Sequence, residues 1–238
     1  MSLTTNILAS WKFDESSGNA TDSSWNGKTL TNTNSISYVS GKVNNAADFW
    51  SSNTTKYFTI SDNLTLNTYQ AGIWSIRRPV QISTAPGSWE MQNLFGIVNN
   101  SQAQVNVNYA NSGGTLQLQY TIFNWVTAQT LTWNTTLTTW VWYDVWIVKN
   151  GTTVTAYVDS SSLWNQTITI PDLSPWRPNQ FTVWRNAFDT SNYMKWLVDE
   201  ATVYSDAKTS TDVTQAYNGW NWLSYPFASV FTPKIMFF

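Results

Sequence analysis

The dipeptide Asn150-Gly151 most constrains how this chain can fold, because it joins two runs of β-branched and aromatic residues. Asn-Gly between such runs is the strongest short signal for a two-residue hairpin turn. With these two residues as the turn, the register and the two faces of the hairpin follow. The expected core-face pairs are Ile147 with Val154, Val145 with Ala156 and Tyr143 with Val158, and Lys149 faces Thr152 beside the turn.

The opposite face of this hairpin mixes aromatic rings with carboxylates. Its members are Trp142, Asp144, Trp146, Tyr157 and Asp159. Such a face suits a bound sugar, and an unpaired carboxylate is costly to bury. In a layered β protein, however, the second face of a central strand is often covered and becomes a second core layer. The sequence leaves both interpretations open: a carbohydrate-binding platform or a covered layer.

Short strand-like runs recur along the chain and indicate an all-β fold. Clusters of Gly, Asn, Asp and Ser separate them at the spacing of a sandwich or jelly roll. A chain of 238 residues can bury a full core as one domain. One short helix is predicted over 209–218, where a hydroxyl N-cap precedes it and Gly219 follows. Strands are predicted near 7–13, 35–39, 45–49, 56–60, 72–80, 92–98, 102–109, 115–123, 128–133, 140–149, 152–159, 163–170, 180–185 and 194–204.

Two of these strands alternate cleanly between apolar residues and amides. On the polar side, 102–109 carries Asn106 and Asn108, and 115–123 carries Gln117 and Gln119. Amides both donate and accept hydrogen bonds, which suits sugar hydroxyls. An exposed polar face is also the norm for an antiparallel sheet and needs no ligand. These four amides are therefore candidate carbohydrate-binding residues, with a solvated face as the alternative.

The missing residue types exclude much enzyme chemistry. The chain has no cysteine and no histidine, so disulfides, thiol nucleophiles and the commonest general base are not available to it. Its 12 basic residues are scattered and nearly balance its 14 acidic ones, which argues against a nucleic-acid partner. No stretch is long and apolar enough for a transmembrane helix. We therefore expect neither nucleic-acid binding nor membrane insertion.

Four blocks of residues follow one another along nearly the whole chain: 11–18 with the Asp22-Ser-Ser after it, 41–49, 142–159, and 197–204 before the predicted helix. In this order they resemble the laminin G-like domains of the concanavalin A-like lectin and glucanase fold, of the type found in bacterial surface and phage structural proteins. The resemblance implies a jelly roll of two curved antiparallel sheets. It also implies a domain that binds glycans or other surfaces, frequently with a calcium ion, and only sometimes hydrolyses them.

Tryptophan replaces glycine at several places where the resemblance implies glycine. Trp25, Trp184 and Trp196 are such positions, and Asp144 stands where a histidine is frequent. The chain has 10 glycines beside 16 tryptophans, whereas average usage gives about 17 glycines. A turn that needs a positive φ is poorly served by tryptophan. We hypothesise that some of these residues were engineered or were assigned other than by direct reading of a gene.

Hydrolysis of a glycan is the enzymatic alternative, and it needs two carboxyl groups about 5–10 Å apart. Glu15 and Glu90 lie in predicted loops, and the consecutive Asp199 and Glu200 should point to opposite faces of a strand. Asp144 and Asp159 on the hairpin form the one remaining candidate pair. We therefore expect a domain that is not an enzyme.

Calcium takes oxygen ligands from carboxylates and loop carbonyls. Asp14, Asp22, Asp199 and Glu200 are the acids that the first and last long strands could bring together. Acids in loops rich in Ser and Asn also commonly cap turns. The sequence thus predicts a structural calcium site at these four residues, with turn capping as the alternative.

The last residues, 224–238, are strongly apolar for a chain end. Pro226 and Pro233 exclude a regular helix or a central strand there. We expect a sandwich over 1–223 and an extended tail over 224–238 that docks on its own sandwich or on a neighbouring copy, giving a homo-oligomer. Without the tail, stability should fall or an oligomer should break.

The expected function is a non-enzymatic surface domain with weak glycan binding. From the few residues before the first strand we expect no signal peptide, and a chain without cysteine suits assembly in a reducing cytoplasm. A virion decoration, fibre or tail subunit of a phage, in contact with other virion subunits and with host or environmental glycans, is the preferred interpretation. A secreted bacterial adhesin and a purely structural subunit without ligand are the alternatives.

Overall fold

The computed structural model describes residues 2–49, 56–61, 64, 72–99, 102–123, 126–170, 180–183 and 195–227. Within these ranges the chain forms two antiparallel sheets and one short α-helix, which confirms the predicted all-β sandwich. The nine-stranded sheet contains β1 (Ile7–Trp11), β3 (Ser37–Ser40), β4 (Asn45–Asp48), β6 (Ile73–Ile82), β11 (Trp142–Asn150), β12 (Thr153–Val158), β13 (Ser161–Thr167), β15 (Trp196–Val198) and β16 (Ala201–Tyr204). The seven-stranded sheet contains β2 (Thr31–Thr33), β5 (Tyr57–Ile60), β7 (Met91–Asn99), β8 (Gln102–Ser112), β9 (Thr115–Phe123), β10 (Ala128–Asn134) and β14 (Gln180–Val183).

Strand order places the hairpin and the amide strands in different sheets. In the nine-stranded sheet the order is β13-β12-β11-β6-β15-β4-β3, and β16 pairs with both β6 and β1. In the seven-stranded sheet the order is β10-β9-β8-β7-β14-β5-β2. Each sheet therefore turns one face to the shared core and one face outward.

The core between the sheets is rich in aromatic rings. Trp11 stacks on Phe181 with 5.8 Å between ring centroids, and Phe181 stacks on Phe95 at 6.1 Å. Trp74 then contacts Phe95 edge-on at 6.3 Å and Tyr120 at 6.2 Å. This chain of rings draws on both sheets and links them by large buried surfaces, which dominate core energetics.

The hairpin has the predicted faces but a different register. Ile147 pairs with Ala156 instead of Val154, and Val145 pairs with Val158. The turn consists of Gly151 and Thr152, since Asn150 still pairs with Thr153. Because the shift is two residues along β12, each side chain keeps its predicted face and only its partner changes.

The helix, α1, spans Ser210–Tyr217 within the predicted range. Thr209 caps its first turn, and Thr209 and Asp212 form a reciprocal capping box. The helix ends at Asn218, which has φ 46° and takes the left-handed position expected of the following glycine.

Two strand predictions need correction. The short strand β2 was not predicted, because its three residues lack an apolar pattern. The run 194–204 is split into β15 and β16, with Asp199 and Glu200 in the break and a φ of 45° at Glu200. The two acids are both buried, at 0% and 1% exposure, instead of facing opposite sides of one strand.

The outward face of the nine-stranded sheet is covered by α1 and by residues just after it. A second apolar cluster lies there, separate from the core between the sheets. We name it the covered layer; its buried members are Leu3, Trp146, Val148, Tyr157, Tyr204, Val213, Ala216 and Phe227. Residues up to Phe227 thus belong to the packed structure, and the rest of the predicted tail, 228–238, lies outside the described residues.

Candidate functional site

The covered layer contains the hairpin residues that the sequence offered as a sugar platform. Trp146 is fully buried and stacks on Tyr204 at 5.8 Å between centroids. Tyr157 is 8% exposed. Neither Trp146 nor Tyr157 is open to a ligand. At these residues the structure therefore favours a covered layer over a carbohydrate-binding platform.

Asp144, also on this face, is fully buried in an ion pair with Arg77. The Arg77 Nε lies 3.1 Å from Asp144 Oδ1, and both side chains have no exposed surface. The same guanidinium donates from Nη1 to the carbonyl of Leu223 at 2.6 Å and from Nη2 to that of Ala216 at 3.2 Å. Burial raises the pKa of Asp144, and Arg77 opposes that rise. The carboxylate that looked costly to bury is therefore paired, and its arginine fastens the end of α1 to the sheet.

Asp159 and Trp142 lie at the margin of the covered layer. Asp159 Oδ1 accepts a hydrogen bond from the backbone N–H of Asp144 at 2.8 Å. Burial, with a smaller repulsion from Asp144, raises the pKa of Asp159 to about 6. Trp142 contacts Trp222 edge-on at 5.9 Å. Asp144 and Asp159 are therefore neighbours in structure, but Asp144 is inaccessible to a substrate.

The second candidate surface is on the outward face of the seven-stranded sheet. Asn93 of β7 pairs with Asn108 of β8, and Asn108 pairs with Gln119 of β9. Asn106 and Gln117 lie two residues away on the same face. We name these five residues the amide patch. All four amides predicted from the sequence belong to it, and Asn93 was not predicted.

Hydrogen bonds between amides hold the patch together. Asn93 Nδ2 donates to Asn108 Oδ1 at 3.0 Å and to Asn106 Oδ1 at 3.3 Å. Gln119 Nε2 donates to Gln117 Oε1 at 3.3 Å. Such mutual bonding fixes side chains that would otherwise rotate freely, and it orders the surface before any ligand arrives.

Asn93 carries an unusual acceptor at the centre of the patch. Its side chain is fully buried, and its Oδ1 has no hydrogen-bond donor in the described part of the chain. A buried acceptor without a donor costs about 1–3 kcal/mol. The centre of the patch thus holds an unsatisfied oxygen beneath the surface.

Exposure rises from the centre of the patch to its margin. Asn93, Asn106, Asn108 and Gln117 are buried, Gln119 is half-buried, and Thr130 and Thr132 of β10 are exposed. The strands β7 to β10 carry no charged side chain, because no Asp, Glu, Lys or Arg occurs between Glu90 and Asp144. The five amides, with threonines beside them, offer hydrogen bonds without charge.

Three of the four predicted calcium ligands lie near one another at the break between β15 and β16. Asp199 Oδ2 accepts from the backbone N–H groups of Lys42 at 2.9 Å and Val43 at 2.8 Å, and Asp199 Oδ1 has no donor in the described residues. Burial raises the pKa of Asp199 to about 8 and that of Glu200 to about 7. Repulsion from Asp14 contributes to the raised pKa of both Asp199 and Glu200, so the three carboxyl groups interact electrostatically.

The fourth predicted ligand, Asp22, serves its own loop. Its Oδ1 accepts from the N–H groups of Ser10 and Ser24, and its Oδ2 accepts from that of Lys28 at 2.9 Å. This is the turn-capping role that the sequence offered as the alternative. Among the residues that the structure describes, no group of three His, Cys, Asp or Glu side chains is arranged to hold a metal ion.

The described residues include no helix long and apolar enough to cross a membrane. Comparison with models of protein families gives no match. Comparison with curated protein sequences gives none either.

Solved structures do show the same fold. Domain 4 of AbnA, a GH43 extracellular arabinanase from Geobacillus stearothermophilus solved with arabinotriose, is 19% identical with a TM-score of 0.66, covering 88% of this chain and 97% of that one. The botulinum neurotoxin type G receptor-binding domain is 14% identical with a TM-score of 0.63, covering 90% and 51%. A type C botulinum neurotoxin structure, described as interacting with two ganglioside molecules, is 9% identical with a TM-score of 0.72, covering 92% and 52%. The chain spans about half the length of these toxin chains. At such low identity the likeness establishes the β-sandwich fold alone.

Sequence reasoning missed Asn93 for a specific reason. In the run 91–99 the amides stand next to apolar residues without clean alternation, because the ladder between β7 and β8 shifts between Asn93 and Phe95. This irregularity turns Asn93 outward beside Asn108, and a strict period of two does not reveal it. An Asn within an otherwise apolar strand was the available signal.

Proposed function

We propose that this chain is a non-enzymatic glycan-binding domain that holds a neutral part of a glycan on the amide patch. The observation that carries this proposal is the half-buried Gln119 with exposed threonines beside it, on a face whose buried amides are already fixed by mutual hydrogen bonds. Sugar hydroxyls can bond Gln119 and these threonines, while Asn93, with its unsatisfied Oδ1, holds the amides beneath them in place. The lectin-like fold and its neighbours with glycan ligands support the class of function.

The neutral character of the surface supports an uncharged ligand. A sialic acid or uronic acid would need a cation near its carboxylate, because a charge without a partner is costly to desolvate. The stretch that forms β7 to β10 supplies no Lys or Arg. We therefore expect selectivity for neutral oligosaccharides over acidic ones.

A glycan array with neutral and sialylated oligosaccharides tests this proposal. Wild-type protein should bind neutral members, and Asn93→Leu should lose that binding while its circular dichroism spectrum is unchanged. Asn134→Leu is the matched control, because Asn134 lies on the same face but is exposed at the end of β10. Equal binding by wild type and Asn93→Leu would contradict the amide patch as the site.

Calcium remains part of the proposal at Asp14, Asp199 and Glu200, without Asp22; the three acids are not arranged to hold a metal in the described structure, so they would have to move together around the ion. The unpartnered Oδ1 of the buried Asp199 supports it, since a divalent cation would satisfy this oxygen and offset the repulsion among the three acids. A bound ion should raise Tm in proportion to ln[Ca²⁺]. An unchanged Tm after calcium is added to metal-stripped protein would end this part of the proposal.

The laminin G-like membership and the location also remain proposals. We infer that the domain is displayed in many copies on a virion surface, where multivalency would raise weak glycan affinity by orders of magnitude. A bacterial cell-surface adhesin is the alternative location. Antibody against this chain should label intact virions, and labelling of bacterial envelopes alone would favour the alternative.

A further inference from the structure

Exposure and backbone conformation single out four tryptophans in the described part of the chain. In the described part of the chain the mostly exposed ones are Trp25, Trp89, Trp140 and Trp164, at 91%, 77%, 53% and 55%. The same four have φ values of 67°, 66°, 65° and 73°. By contrast, none of the fully buried tryptophans in these ranges has a positive φ; these are Trp11, Trp74, Trp133, Trp146 and Trp196. The expectation of a glycine position at Trp196 is therefore wrong, and Trp184 lies outside the described residues.

A positive φ is strained for tryptophan, because its Cβ crowds the backbone in the left-handed region. Glycine lacks this Cβ and adopts the region freely. A bulky residue held there usually gains something from packing, but rings that are more than half exposed gain little. Four such residues in one chain therefore need a common explanation.

The local hydrogen bonds show that two of the sites are turns that require glycine. The N–H of Glu90 donates to the carbonyl of Gly87 at 2.9 Å, which places Trp89 third in a four-residue turn. The N–H of Val141 likewise bonds the carbonyl of Thr138, which places Trp140 third in its turn. Only the third residue of each turn has a positive φ, which is the signature of a type II turn with glycine at that position.

The other two sites also match glycine chemistry. In the ladder between β12 and β13, Thr155 pairs with Asn165 and Tyr157 with Ser162, so β13 bulges at Trp164. A bulge with one residue in the left-handed region normally has glycine there. Trp25 lies in the loop that Asp22 organises, two residues before Gly27, which has φ 71°.

We propose that positions 25, 89, 140 and 164 are glycine positions of this fold, and that the functional chain is translated with glycine there. One codon accounts for all four sites if it is read as tryptophan by one genetic code and as glycine by another, as UGA is. The proposal also removes these four exposed rings as candidates for sugar stacking.

Thermal unfolding of three proteins tests the conformational part. With all four residues changed to glycine, Tm should rise by about 5–10 °C relative to the same four changed to alanine, since both variants lose the rings but only glycine loses the Cβ. Trp133→Gly, at a buried site without positive φ, should lower Tm. A glycine variant no more stable than the alanine variant overturns the proposal.

Peptide mass spectrometry tests the translation directly. Protein isolated from its natural source should carry glycine at 25, 89, 140 and 164, and tryptophan at Trp11 as the internal reference. Tryptophan at the four positions in natural material would overturn the inference. Neither experiment measures glycan binding. Failure of the glycine proposal can therefore be distinguished from failure of the proposed function.

Discussion

The two sheets of this sandwich treat their outward faces in opposite ways. The nine-stranded sheet carries Trp146, Val148 and Tyr157 outward, and α1 covers them to make a second apolar core. The seven-stranded sheet carries amides and threonines outward, bonded to one another and ending in an unsatisfied acceptor at Asn93. The outward aromatic residues of the nine-stranded sheet thus stabilise the fold, whereas the outward amides of the seven-stranded sheet form the candidate binding site.

Charge follows the same division. On the covered face the Arg77–Asp144 pair is fully buried and tied to the end of α1. The strands of the amide patch have no charged residue. Mutations should therefore change stability on the first face and ligand binding on the second.

The largest predicted loss of stability comes from a mutation on the covered face. Trp146→Ala should lower the free energy of unfolding by about 3–5 kcal/mol, because a fully buried ring stacked on Tyr204 is removed and a cavity remains. Urea unfolding measures it. Thr132→Ala, exposed on the opposite sheet, is the control and should change stability by less than about 0.5 kcal/mol. Similar losses in both variants would erase the distinction between the faces.

A smaller effect concerns pH. Because burial raises the pKa of Asp159 to about 6, its contribution to stability is complete below the unfolded pKa near 4 and is lost as pH rises through 6. Asp159→Asn keeps an acceptor for the Asp144 N–H and should be more stable than wild type at pH 8 by about 1–2 kcal/mol, a figure reduced for partial exposure. The advantage should vanish near pH 3.5. A constant difference across this range would show that Asp159 does not titrate as described.

The helix that makes the cover can be weakened at its cap. Thr209→Ala removes the side chain that accepts from the Asp212 N–H and should cost about 1 kcal/mol. Thermal unfolding followed by Trp fluorescence measures it, and Thr209→Ser is the conservative control that should restore the cap. Glycan affinity should be unchanged in both, because the helix lies on the other sheet.

The smallest expected change in stability is on the amide patch. Gln119→Leu removes a half-buried amide that donates to Gln117, so the free energy of unfolding should change by less than about 0.5 kcal/mol. Affinity for a neutral glycan should fall roughly five-fold, as expected for one lost hydrogen bond. A calorimetric titration that gives equal affinity would remove Gln119 from the site.

The sequence was sufficient for those features that depend on local pattern. Alternation in β8 and β9 placed Asn106, Asn108, Gln117 and Gln119 on one outward face, and capping chemistry placed α1 within its range. Hairpin faces were also predicted, because they depend only on parity. The register was wrong by two residues, because the turn consists of Gly151, with φ 59°, and Thr152 instead of Asn150 and Gly151.

Features that depend on long-range packing could not be predicted. The residues near Trp146 in the sequence do not indicate that a helix more than 60 residues later in the chain will cover it. The partner of Asp144 is equally distant, because Arg77 reaches it only once β6 and β11 pair. The same limit hid Asn93, whose outward position depends on an irregular ladder with β8.

The side-chain amide and indole signals of ¹⁵N-labelled protein test the central claim most directly, during titration with a neutral oligosaccharide such as arabinotriose. The account predicts that the side-chain amide signals of Asn93, Asn108 and Gln119 shift with ligand, whereas the indole signal of Trp146 does not. Shifts at Trp146 with unchanged signals from the amide patch would contradict it.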